Sequence, residues 1–271
     1  MLKQTEEFLV LVQARTGSTR LPNKVMMEVC GKPILIHQLE RIRASKYRPK
    51  VVVISTENPN DDALINMCHA YGYLTFRGSE ADVLSRHYLA AKLFAYKWIV
   101  KIPSDCPLID PKVIDDGFDA FHAEGANFGY YSNLHPASYP DGHDVEIMHF
   151  EALKKANKEA QKPLEREHTT PYFWENPSLF KIGNFVWPVG KDLSMSHRFT
   201  LDYPQDWEFI RTVYEKLYVT NPLFGLQDIL TLLANEPAIY QLNADLAGVN
   251  WYRNHLDELT TIDENSTKLY E

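Results

Sequence analysis

The sequence predicts an α/β fold: a mostly parallel, doubly wound sheet with helices on both faces, in three α/β/α layers. Two observations predict it. Short apolar runs rich in β-branched residues alternate with amphipathic stretches through the first half of the chain. Those stretches are long enough to be crossover helices between parallel strands.

The elements follow in order. Residues 8–13 (FLVLVQ) form a buried strand. Residues 33–44 form a helix, with Ile34, Leu35, Leu39 and Ile42 near helical spacing. Residues 50–56 (KVVVIST) are a second strand, and 61–71 a helix closed by Gly72. A short strand over 73–77 precedes a long helix over 81–95. Residues 98–103 (WIVKIP) are a fourth strand, 111–123 a helix closed by Gly125, and 127–132 a fifth strand. The second half is less regular. It predicts strands over 144–148, 179–187 and 198–202, and helices over 150–160 and 164–175. A helix over 204–218 has proline at its first turn, and a shorter one over 226–234 precedes an acidic tail. No structure is assigned over 258–271.

Composition excludes several classes. The 271 residues carry a net charge of −8, and 45% are apolar, which suits a buried core. A broad nucleic-acid surface needs a basic face, so none is expected. No apolar run has the length of a membrane helix, and Glu6 and Glu7 precede the first apolar run, unlike a secretory signal. Three cysteines (Cys30, Cys68 and Cys106) without a CxxC pair argue for a reducing, cytoplasmic setting. The histidines form no HExxH motif.

In an open parallel sheet, ligands sit at the carboxyl ends of the strands. The segments to read are therefore 14–24, 56–60, 78–82 and 104–110. The first is ARTGSTRLPNK, with small residues Ala14, Gly17 and Ser18 among the cations Arg15, Arg20 and Lys24. Small residues let backbone N–H groups face an anion, and the cations neutralise it. Arginine suits bidentate phosphate contact and lysine a point contact. Neither a P-loop nor a GxGxxG fingerprint is present; the alternative is a solvated loop with scattered charges.

The string QARTGSTRLPNK, followed by GKPILIHQLERI, resembles the opening of the CMP-sugar synthetase type of cytidylyltransferase, in its spore-coat polysaccharide branch. The resemblance continues in order through FRGSEADVLSRHYLAA (76–91), SDCPLIDP (104–111), YPDGHDVE (139–146), EREHTTPY (165–172) and TLDYPQDWEFI (200–210). It covers about residues 8–218. It implies a GT-A-like nucleotidyltransferase fold over 1–235, with 133–187 as an acceptor and dimerisation segment and 236–271 as an extension. It implies transfer of CMP from CTP to an acceptor, with Mg²⁺ and release of pyrophosphate, by a homodimer. Ala14, Arg15, Gly17, Ser18, Arg20 and Lys24 would hold the nucleotide, and Arg15 and Lys24 would be catalytic together with Asp105. Two positions depart from the pattern. Val25 follows Lys24 where nonulosonic-acid branches often have Asn, and Ser104 stands where Gly is common.

The residues make chemical sense on their own. Asp105 follows the fourth strand and can ligate Mg²⁺, which takes few protein carboxylates and leaves room for phosphate oxygens. Asp202 is the second metal candidate; its alternative is an N-cap before Pro204. Asp110, before Pro111, is expected to cap a helix rather than bind. Gly78, Ser79 and Asp82 open a helix whose positive end faces the crevice; capping alone is the alternative for Asp82. Thr56 with Gly78 and Ser79 would wall the base. On the acceptor side stand Arg86, Tyr139, Asp141, His143, Asp144, Arg166, His168 and Arg198. Arginines there suit an anionic acceptor, an acidic or phosphorylated sugar. His143 is the candidate base if the acceptor is a hydroxyl. A glycosyltransferase on a similar fold would want a DxD pair, which Ser104-Asp105-Cys106 lacks, and a silent nucleotide-binding module would retain the motif by coincidence.

Charge distribution sharpens the picture. Residues 13–50 hold nine basic and two acidic residues, a local +7 that leaves −15 for the remainder. Arg41 to Lys50 are expected at and beyond a helix C-terminus, where cations complement the dipole. The three loop cations remain as a small basic mouth on an acidic body.

Overall fold

The computed structural model describes residues 7–188 and 190–269. The start of the N-terminal stretch and the last two residues of the extension lie outside that range. β1 (Phe8–Gln13) is an interior strand of the sheet. It is followed by a two-stranded hairpin, β2 (Glu28–Val29) and β3 (Lys32–Pro33), and by α1 (Ile34–Arg43). Next come β4 (Lys50–Thr56), α2 (Asp62–Ala70), β5 (Leu74–Gly78), α3 (Val83–Phe94), β6 (Trp98–Lys101) and α4 (Pro111–Ala123). The second half supplies β7 (Tyr130–Ser132), β8 (Glu146–His149), α5 (Phe150–Glu159), α6 (Pro163–His168), α7 (Pro171–Trp174) and β9 (Ile182–Asn184). The described chain continues with α8 (Pro204–Leu217), α9 (Leu226–Asn235) and α10 (Pro237–Tyr240).

Seven strands make one sheet in the order β5-β4-β1-β6-β8-β7-β9. The strands β5, β4, β1 and β6 are mutually parallel, and β8 alone runs antiparallel to its neighbours. β1 explains its own unbroken apolar run. Phe8, Val10 and Val12 pack into one core layer, and Leu9 and Leu11 into the other. A strand buried on both faces needs no polar alternation. The Phe8 ring stacks on Phe118 of α4 at 3.9 Å.

β1 lies between β4 and β6: the chain runs outward from β1 through β4 to β5, then crosses back to lay β6 on the other side of β1. Such a reversal opens a crevice at the strands' carboxyl ends. That places the 14–24 loop beside the segment after β6.

Three expectations are corrected. The predicted helix over 164–175 is two helices, broken where Thr169 takes φ 71° and Pro171 restarts the chain. The predicted strand over 198–202 is not a strand; one bridge joins Arg198 to Asp141. The strand over 179–187 shrinks to β9. Arg41 lies in the last turn of α1, as expected, and is buried, its guanidinium donating to the carbonyls of Ile109 at 2.7 Å and Phe224 at 2.6 Å. It thereby clamps α1 to the loops before α4 and α9. The β2–β3 hairpin went unpredicted, although Cys30 and Gly31 (φ 48° and 77°) supply the two positive φ angles of a tight turn.

The protein buries neutral histidines that shape its acid response. His87 of α3 is fully buried; its Nδ1 lies 2.9 Å from the Val83 carbonyl, and burial pulls its pKa from 6.5 to about 3. The unfolded chain binds that proton first, so His87 contributes stability above pH 6.5 that is lost as pH falls toward the folded value. Tm should therefore drop less between about pH 7.5 and about pH 5 in His87→Gln than in wild type. Equal drops in thermal melts would refute this role.

Candidate active site

A cleft of about 1330 Å³ opens at the carboxyl ends of β1 and β6. Its mouth is the 14–24 loop, and a buried carboxylate behind the loop holds it. Asp61 Oδ1 accepts from the Thr16 N–H at 2.8 Å and the Thr16 hydroxyl at 2.7 Å; Oδ2 accepts from Ser55 and Thr56. Burial pushes this carboxyl up, but the donors outweigh it and hold it below its ordinary range. Loop and sheet end are thus joined by one ionised side chain.

Three cations of the loop reach the cleft. Arg15 is half exposed beside Glu80, with 3.2 Å between NH1 and Oε1. Arg20 lies 2.9 Å from Asp202 Oδ2, its guanidinium 5.1 Å above the Tyr203 ring. Lys24 is nearly buried. Its Nζ donates to the Leu201 carbonyl at 2.6 Å and to Asp202 Oδ1 at 2.8 Å, with Asp105 Oδ2 at 3.7 Å. Burial works against its charge, but Asp105 and Asp202 prevail and raise its pKa. Asp202 is free for this because it does not cap α8. Tyr203 is the cap residue, and Asp206 reaches back to the N–H groups of Asp202 and Tyr203, each at 2.9 Å. The Asp105 carbonyl accepts from Leu201 N–H at 2.8 Å and the Thr200 hydroxyl at 3.1 Å, which sets the two acids side by side.

The inner half is dominated by carboxylates. Arg198, 3% exposed, donates to both oxygens of Asp206, to Asp141 Oδ2 and to the Val249 carbonyl. Burial pushes Asp141 up to about 7, Arg198 opposing and Asp105 assisting. Burial, then repulsion from Asp141 and Asp105, pushes Asp144 well above its ordinary range. Lys101 and Glu146, paired across β6 and β8, form a buried ion pair, and Glu146 also accepts from the Tyr130 hydroxyl at 2.6 Å. Gly142 (φ 102°) lets this loop touch residues 199–200, since a Cβ there would lie 2.6 Å from the Phe199 carbonyl carbon.

A cytidylyltransferase family model matches residues 9–249. The chain belongs to the cytidylyltransferase family. It is similar to a cytidylyltransferase structure from Leptospira borgpetersenii: 33% identity, TM-score 0.81, covering 87% of this chain and 97% of that one. It is 28% identical to the spore coat polysaccharide biosynthesis protein SpsF of Bacillus subtilis, over 85% of this chain and 95% of SpsF. A structure of CMP:2-keto-3-deoxy-manno-octonic acid synthetase complexed with CTP shares the fold at 15% identity, with a TM-score of 0.59 over 78% of this chain and 99% of that one.

In this cytidylyltransferase the sequence-predicted residues divide. Ala14, Arg15, Ser18, Arg20, Lys24, Asp105 and Asp202 all line the cleft mouth. Gly17 sits in the loop with room for a Cβ, 3.9 Å from Glu80. Thr56 and Gly78 are not among the residues that line the cleft. Both are buried, Thr56 on Asp61 and Gly78 against Arg86 and Phe76. Asp82 caps α3 through Ser85 N–H and pairs with Arg166, and Ser79 accepts from Asp82 N–H, so both serve the loop before α3. Asp110 is a cap as expected, accepting from Lys112 N–H at 2.8 Å and also from Leu226 N–H at 2.7 Å.

Of the acceptor candidates, Arg86, Tyr139, Asp141, His143, Asp144, His168 and Arg198 line the cleft, and Arg166 does not. Arg86 is 2% exposed and spends its guanidinium on the Ser79 and Glu80 carbonyls. Arg166 spends its own on Asp82 and Asn157. His143 lines the inner wall; both ring nitrogens are enclosed without a partner, and burial with the Arg41 charge lowers its pKa to about 3. Tyr139 stacks on Trp187 with its hydroxyl enclosed. His168 does reach the cleft, stacked on Trp251 at 3.8 Å. Sequence reading missed Asp61, Lys101 with Glu146, and the cleft-lining segment past 249. A lone Asp after a turn and a Lys inside an apolar strand were the available signals for the first two.

Proposed function

We propose that this enzyme transfers CMP from CTP to an acceptor oxygen of a surface-polysaccharide precursor and releases pyrophosphate. The observation that carries the reading is the meeting of Lys24, Asp105 and Asp202, brought from three distant segments to one point beneath the basic loop. Family membership and the relatives that bear a polysaccharide or CTP designation support it.

The expected divalent cation, Mg²⁺, fits the residues present. Asp105 and Asp202 already share one cation, the Lys24 ammonium, and Asp105 Oδ1 has only the Cys106 thiol at 3.7 Å. Among the described residues no group of three or more His, Cys, Asp or Glu forms a full metal cage. That agrees with an ion held by one or two carboxylates plus substrate phosphate. When bound, it supplies charge neutralisation for the phosphate oxygens. Arg15 and Arg20 at the mouth hold the β- and γ-phosphates, and Lys24 balances charge on the α-phosphate. The acceptor oxygen attacks the α-phosphorus, the bond to the bridging oxygen breaks, and pyrophosphate departs carrying the acceptor's proton. Orientation and charge supply the rate enhancement. Pairing of two copies through residues 133–187, where Leu179 and Val186 are exposed, belongs to the same proposal.

Purified protein offered CTP, UTP, ATP or GTP with Mg²⁺ and a panel of sugars and sugar acids should release pyrophosphate from CTP alone. Release only from a nucleotide sugar would favour a glycosyltransferase, and neither binding nor release would leave a silent module.

A further inference from the structure

We infer that Lys24 and Arg20 keep a divalent cation off Asp105 and Asp202 until a nucleotide draws the two side chains away, so that metal and CTP load together. This rests on the CMP-transfer reading above and specifies how the site of that reaction is filled.

The two carboxylates are shared out among cations of the protein itself. Asp202 Oδ1 lies 2.8 Å from Lys24 Nζ. Asp202 Oδ2 lies 2.9 Å from Arg20 Nη2, with Arg198 Nη2 at 3.7 Å on the same oxygen. Asp105 Oδ2 lies 3.7 Å from Lys24 Nζ. Both oxygens of Asp202 and one of Asp105 therefore face a positive charge. Lys24 is fixed in this place: its side chain is only 11% exposed, and its Nζ also donates to the Leu201 carbonyl at 2.6 Å.

The cluster is electrically balanced. Asp105 and Asp202 carry two negative charges, and Lys24 and Arg20 carry two positive ones. Arg198 is already paired with both oxygens of Asp206. A divalent ion arriving alone would add two charges to a neutral, half-buried group and would compete with Lys24 for the oxygens it contacts. A nucleoside triphosphate removes both obstacles. Its phosphates offer Lys24 and Arg20 new partners, and its negative charge compensates the ion. A ligand that removes the competitor of a second ligand raises the second's affinity, and linkage makes the effect mutual. Arg15 stands apart from this arrangement, because its partner is Glu80.

Metal binding can be read without turnover. Electron paramagnetic resonance follows free Mn²⁺ in the presence of protein and no nucleotide, and calorimetry follows CTP binding separately. Wild type should leave the free-ion signal nearly intact. Lys24→Gln should tighten nucleotide-free Mn²⁺ binding by on the order of 10–100-fold, the usual range of coupling between two sites. Arg20→Gln, at an exposed side chain, should give a smaller gain, and Arg15→Gln none. Adding Asp105→Asn to Lys24→Gln should return binding to the wild-type level. Wild-type binding as tight as that of Lys24→Gln, an equal gain in Arg15→Gln, or a gain that survives Asp105→Asn would overturn the inference. Should a thermal melt show Lys24→Gln unfolded, Arg20→Gln decides alone, and no gain there overturns the inference. Failure of the wild type to bind CTP would instead overturn the transfer reading itself.

Discussion

Replacing Asp105 by asparagine should lower CMP transfer by on the order of 10²–10³-fold, the several kcal/mol a phosphate-bridging carboxylate site supplies. The fold should be untouched. Asp105 holds the Leu201–Thr200 segment through its backbone carbonyl, which the substitution keeps. Lys24 retains Asp202 at 2.8 Å and the Leu201 carbonyl at 2.6 Å. Pyrophosphate release read alongside a thermal melt distinguishes the two roles. Near-normal turnover would remove Asp105 from the reaction, and lost turnover with a collapsed Tm would make it structural.

The largest stability effect is expected at Arg198. Arg198→Met keeps the length of the chain but leaves Asp206, fully buried, and Asp141 without their cation. Breaking a buried ion pair by removing one partner costs about 3–5 kcal/mol. For a chain of this size that is a fall in Tm of roughly 10 °C. Adding Asp141→Asn should recover part of the loss, because it removes one stranded carboxylate. A melt indistinguishable from wild type would show that Arg198 is not the keystone of this cluster. Here the protein itself supplies anions to the arginine.

The first half of the fold was legible because its signals are local. The run FLVLVQ is apolar throughout since both faces of β1 are covered. Pro111 and Asp110 announce α4 by cap chemistry that needs no partner. The second half was less so. Residues 198–202 have the composition of a strand, yet form a ledge held by the Asp105 carbonyl and by Asp206, neither adjacent in sequence. Thr169, with φ 71°, splits a helix that periodicity alone would continue. The cleft mouth was legible for a related reason: Arg15, Arg20 and Lys24 share one loop, and short spacing makes them visible together.

The inner cleft was not, since its character depends on which charges are already spent. Arg86, Arg166 and Arg198 read alike along the chain, and only packing shows that each is satisfied by a carbonyl or carboxylate from elsewhere. The sequence by itself determined the doubly wound sheet, the basic loop after the first strand and the acidic residues after the strands, all consequences of local pattern and strand-end geometry. Tertiary structure alone decided that Lys24 lies between Asp105 and Asp202, that Asp61 anchors the loop, and that residues past 249 line the cleft. Each depends on desolvation and contact between segments far apart in sequence, and no local pattern encodes those distances.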